Sequence, residues 1–127
     1  MRKLIVLFFL IPSFSWSNVV ILNCTPKEYK MFDGIIFTEK NLTDEDLKTI
    51  SFIMRINKPM KYVELETTSG FKRKFLIDNK KSKTKIFAAG TWSDQKYTIS
   101  IDNFFNYEID IKFKDLHSFD YGSCLIK

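Results

Sequence analysis

The residues able to do chemistry are few and scattered. His117 is the only histidine in the 127-residue chain. It follows a predicted turn, and no serine or cysteine stands near it in a pattern marking a nucleophile and its base, which only mutual geometry can define. It reads as a solvated turn residue. The acids Asp44, Glu45 and Asp46 are consecutive, but they fall where a helix start favours negative charge. No His, Cys or carboxylate cluster has metal-ligand spacing, and there is no glycine-rich phosphate loop. Two carboxylates meeting across strands would be invisible at this level, so a hydrolase of that kind is the remote alternative. No enzyme, catalytic residue, metal or cofactor is expected.

Two features suit binding instead. The stretch 72–85 carries Lys72, Arg73, Lys74, Lys80, Lys81, Lys83 and Lys85 against the acid Asp78. Together they form a candidate patch for an anionic surface component. The plain alternative is a solvated strand face, because Lys72 and Lys74 alternate with Phe71, Arg73 and Phe75, and edge lysines deter aggregation. The second feature is Phe104-Phe105, between Asn103 and Asn106 at the predicted tip of a hairpin. Tips favour Gly, Asn and Asp. Two phenylalanines there mark either an exposed contact for a partner, lipid or apolar ligand, or a plug folded over one barrel end. Trp92 and Tyr97 are candidates to line the same end, and equally good core residues.

The elements that must position these residues are mostly strands. Over 96–114, Tyr97, Ile99, Ile101, Tyr107, Ile109, Ile111 and Phe113 hold odd positions and polar residues alternate with them. Such period-two alternation predicts two half-buried strands, and pairing Ile101 with Tyr107 puts both apolar rows on one face. Residues 18–25 predict a first strand, which Pro26 should end in a turn. A weaker strand over 29–38 contains Gly34, a sign of a bend. Thr43 with Asp46 forms a capping box, flanked by Leu42 and Leu47 at staple positions, and predicts a short helix feeding a strand over 50–56. A hairpin over 62–77 turns at Gly70, and strands follow over 84–89 and 119–126. About eight strands with regular turns predict an all-β fold with one short helix, a single antiparallel barrel or sandwich in up-and-down meander order.

The amino terminus reads as an export signal. Arg2 and Lys3 precede the apolar run 4–11, Pro12 breaks it, and Ser15 and Ser17 offer small residues to a signal peptidase. Residues 1–17 are therefore expected to be a cleaved leader and 18–127 one small domain, with cleavage after Ser15 or an uncleaved anchor over 4–22 as alternatives. A periplasmic or secreted location makes the two cysteines informative. Cys24 and Cys124 allow one pairing, and an oxidising compartment favours it. The ends of the domain would then be tied by a disulfide. The formal charge of +5 includes Arg2 and Lys3, so the mature chain is only mildly basic, and the Lys-, Ile-, Asn- and Phe-rich composition fits the bias of an AT-rich bacterial genome.

A small exported β-barrel with cysteines near its two ends, here Cys24 and Cys124, resembles in layout the membrane-bound type of bacterial lysozyme inhibitors. That family's inhibitory Ser-Gly-Ala-x-Tyr-type loop has no counterpart in this sequence, so none of its inhibitory residues carries over. The expectation is a binding module for an envelope protein or anionic surface component, using Phe104, Phe105, Trp92 and the basic stretch. Nucleic acid is not an expected partner, and no membrane span is expected in the mature chain. An apolar-ligand or lipid carrier with a lipocalin-like interior is the alternative.

Overall fold

A computed structural model describes residues 19–32, 34–38, 41–78, 80 and 85–127. The expected leader, Lys81 and Lys83 lie outside them. In chain order the elements are β1 (Val19–Lys30), β2 (Ile36–Thr38), α1 (Asp44–Ile50), β3 (Phe52–Asn57), β4 (Tyr62–Thr67), β5 (Lys72–Ile77), β6 (Ile86–Trp92), β7 (Gln95–Ile101), β8 (Asn106–Phe113) and β9 (Leu116–Ile126). Sheet order follows chain order from β3 to β9, and β1 pairs with both β3 and β9. Every pairing is antiparallel. The fold is thus a closed eight-stranded meander barrel, with β2 as an added ninth strand. The sandwich alternative falls away, because the β1–β9 seam leaves no pair of separate sheets.

Hairpin β7–β8 has the register its alternation predicts, Ile101 opposite Tyr107. The helix also forms as its cap dictates: the Thr43 side chain accepts from Asp46 N–H while the Asp46 carboxylate accepts from Thr43 N–H. Two expectations fail at β1. Pro26 does not end the strand, which runs through to Lys30. β3 flanks β1 only as far as Cys24 and β2 begins opposite Glu28, so the donor that proline lacks falls where β1 has no neighbour on that side. A register shift against β9 between Pro26 and Glu28 absorbs the irregularity. The strand expected over 29–38 is instead a hairpin, turning through Gly34 at φ +89°.

The seam is covalent. Cys24 and Cys124 face each other in register, are buried, and form the disulfide expected from the sequence, bridging a separation of 100 residues. The interior is filled by Leu22, Met54, Ile56, Val63, Phe75 and Tyr107, among others, as an eight-stranded barrel allows. Gly122 permits the close fit. A Cβ there would stand 2.2 Å from Thr25 O and 2.8 Å from Tyr107 Oη.

The two barrel ends differ in what they carry. At the helix end lie α1, β2 and the turns after β4, β6 and β8. At the tip end lie the start of β1, the finish of β9 and the connections β3–β4, β5–β6 and β7–β8. Among the described residues no helix is long and apolar enough to cross a membrane.

Candidate functional site

The helix end opens into a cavity of about 310 Å³. Its wall is built by alternation: inward positions of β5, β7, β8 and β9 supply Arg73, Gln95, Tyr97, Ile109, Ile111, Ser118 and Asp120, while β1 and the end of α1 add Tyr29 and Ile50. Below this mouth the barrel is closed by its own side chains. Arg73 lies against two rings, its guanidinium carbon 5.1 Å from the Trp92 centroid and 5.3 Å from that of Tyr97. Nη1 donates to the Tyr97 hydroxyl, Tyr97 stacks on Phe75 at 4.7 Å, and Trp92 meets Phe71 edge-on at 5.0 Å. Arg73 Nε is buried without an acceptor, and the side chain makes no ion pair among the described residues.

Across the mouth, Asp120 accepts a 2.7 Å hydrogen bond from the buried Tyr107 hydroxyl. Burial pushes the Asp120 carboxyl up to about 7, with the Tyr107 bond opposing. Tyr107 itself is raised far above the usual phenol range, by burial first and then by the Asp120 charge. Burial also raises Tyr29, helped by Asp120 and opposed by a Ser118 hydrogen bond. Burial likewise raises Tyr97, against Arg73. Asp120 is the only carboxylate among the described residues of this wall. A smaller depression of about 200 Å³ brings Asp102 and Glu108 together. Asp102 there is a turn cap, accepting from Phe104 N–H, Asn106 N–H and Asn106 Nδ2.

The structure divides the residues singled out from sequence between different surfaces. Phe104 is 84% exposed at the tip end. Phe105 turns inward at φ +62° and packs on the core, its carbonyl accepting from Cys124 N–H. One phenylalanine is a contact and the other a plug. Trp92 and Tyr97 do not share that end. Trp92 pairs with Gln95 at the β6–β7 turn, a full strand length away, so both residues belong to the mouth.

The basic stretch does not act as one patch either. Arg73 points into the barrel while Lys72 and Lys74 point out, because consecutive strand residues face opposite ways. Lys72 stands opposite Glu66 and Lys74 opposite Glu64, and those glutamates bind Arg55 at 2.6 and 3.1 Å. Lys74 Nζ also lies 4.7 Å from the Tyr62 centroid. Only Lys80 and Lys85 of the described lysines in this stretch lie beyond β5 at the tip end. His117 is on the outer face of β9 rather than in a turn, 2.8 Å from Asp110.

Sequence reading overlooked Asp120, Ser118 and Tyr29. For the first two a signal existed: Ser118, Asp120 and Gly122 are in phase with Cys124, so the last strand turns polar residues inward. No group of three or more potential metal ligands occurs among the described residues. Set against family models, curated proteins and solved structures, the chain matches none. Fold and site together define a disulfide-closed meander barrel with one aromatic, cationic mouth and one greasy, lysine-studded tip.

Proposed function

We propose that this is an exported, non-catalytic binding module that docks tip-end first on an anionic surface of the cell envelope, with lipid headgroups as the occupant. The observation that carries the proposal is the placement of exposed apolar bulk. Met60, Leu76, Phe104, Leu125 and Ile126, exposed by 68–84%, are the five most exposed large apolar side chains described, and all lie at or beside the tip end. Scattered exposure is ordinary; concentration at one end marks an interaction surface.

The rim is continuous in register. Cys124 N–H bonds Phe105, which sets Phe104 beside Leu125, and Lys127 N–H bonds Ile21 at the start of β1. Ile77 N–H bonds Lys61, linking the Met60 turn to Leu76. Lys58, Lys61, Lys80, Lys85 and Lys127 stand among them, against Asp78 and the turn-capping Asp102. Apolar tips ringed by lysine suit an interface where side chains enter the headgroup region and each nearby lysine adds about 1 kcal/mol on an anionic leaflet.

The test is vesicle co-sedimentation of the chain from residue 18 onward, whose core is complete within the barrel. Binding should favour phosphatidylglycerol over phosphatidylcholine vesicles and fall with added salt. Phe104→Ser with Met60→Ser should weaken it roughly tenfold, the equivalent of about 1.4 kcal/mol. Equal sedimentation with both lipids, or an unaffected double variant, sinks the docking proposal.

A further inference from the structure

The mouth at the helix end is a second site, separate from the docking surface and independent of it. We propose that it binds a small monocarboxylate with an apolar body, the carboxylate held by Arg73. Its volume of about 310 Å³ is at the lower end for small-molecule sites, which limits the ligand to metabolite size. The polar requirement is set by Arg73. A guanidinium offers five N–H donors in a fork matched to a carboxylate. Here Tyr97 takes one hydrogen bond, Nε–H has no acceptor, and among the described residues no carboxylate is paired with the group. An inward-facing cation left without a counter-charge is unfavourable until an anion arrives. The Trp92 ring and the Tyr97 hydroxyl both contact the guanidinium, so its orientation exists before binding.

The remaining wall selects the rest of the ligand. Phe52, Leu65, Ile109 and Ile111 line the cavity and suit an apolar body. With Arg73 as the only cation among the described residues of the wall, a monoanion is matched and a phosphate dianion is not. Asp120 faces the same space, with Tyr107 from β8, Tyr29 from β1 and Ser118 from β9 around it, and Arg73 and Tyr97 across from β5 and β7. Below neutral pH its carboxyl holds a proton and leaves the site's positive charge unopposed. Above it, the ionised form repels a second carboxylate. Affinity for the acid therefore falls as pH rises through about 7.

The experiment titrates the full chain with octanoate and, separately, with octanamide, which matches it in shape and lacks its charge. Binding is followed by the Trp92 indole N–H signal and by backbone amide chemical shifts. Octanoate should bind roughly tenfold tighter than octanamide at about pH 6, and several-fold tighter at about pH 6 than at about pH 8. Shifts should centre on Arg73, Gln95 and Ser118. Arg73→Gln should make acid and amide equivalent, and the comparison on the unaltered protein stands even if that variant folds poorly. Equal affinity for acid and amide overturns the proposal. So does no binding of octanoate at about 10 mM, or a shift pattern centred on Phe104 and Leu125, which would assign the acid to the docking surface.

Discussion

The two ends of this barrel are made from the same eight strands, yet one opens into a cavity that holds a half-buried arginine among aromatic rings, while the other spreads lysines among exposed apolar side chains. The difference lies in how much each charge is worth. In water the tip lysines act over roughly a Debye length and weaken with salt. At the mouth, Arg73 is enclosed by rings and strand walls, where a charge interacts several times more strongly than in bulk solvent. Number of charges is therefore a poor guide to how strongly each end attracts an anion. The tip suits broad, salt-sensitive contact, and the mouth suits one oriented group.

Tyr107 keeps the ends apart. Its ring packs edge-on against Phe52 at 5.1 Å, its hydroxyl bonds Asp120, and its backbone lies opposite Gly122. The largest expected effect follows from breaking that partition. Gly122→Ala forces a methyl group against Thr25 O and Tyr107 Oη, and a loss of more than about 4 kcal/mol is expected, enough to abolish cooperative unfolding in a thermal melt. A variant that melts like the parent would show that the two ends need no such close seam.

Next in size is Cys24→Ser with Cys124→Ser. Opening a loop of 100 residues removes roughly 4–5 kcal/mol by chain entropy, read as a lower urea midpoint. The cysteines sit on the tip side of the seam, with further β1–β9 pairing from Glu28 to Lys30. Amide exchange should rise first around Phe105 and Cys124 and last around Lys30 and Phe119. Uniform loosening would erase the distinction between the ends.

Asp120 gives a smaller effect with a definite sign. Its folded value of about 7 lies above the ordinary 3.8, so the native state keeps a proton that the unfolded chain releases between those values. Stability is greatest below the lower value and declines as pH rises through the upper one, by up to about 1.4 kcal/mol per pH unit. Asp120→Asn leaves Tyr107 an acceptor and removes the titration. Urea unfolding across that window should slope downward for the parent and run flat for the variant; a flat parent would place the carboxyl in water. Smallest is Thr43→Ala, expected to lower stability by about 1 kcal/mol through the lost cap. It should loosen the mouth beside α1, seen as weaker octanoate binding, while vesicle binding at the tip stays unchanged.

Most of the fold was legible because period-two alternation and turn residues are local. The β7–β8 register, the Thr43–Asp46 cap and the Gly70 turn follow from neighbouring residues alone. Pro26 misled because its tolerance depends on β3 stopping and β2 starting on its flank, which no local pattern reports. Half of the candidate site was legible. The odd turn chemistry at Phe104 and Phe105 left exposed contact and plug open, and the fold makes Phe104 the one and Phe105 the other, while Arg73 was grouped with lysines that strand geometry sends to the opposite face.

The sequence by itself determined the strand succession, the helix and the cysteine pairing, since each rests on periodicity, capping or the only connectivity available. Closure of the sheet was decided in three dimensions, because it requires β1 to be long enough to pair with β3 and β9 at once. The separation of Trp92 from Phe104 came from the same source: β7 runs between their turns and carries them to opposite ends. The meeting of Arg73 with Asp120 across a shared mouth likewise needed the closed barrel, where residues far apart in sequence lose water together and their charges begin to matter.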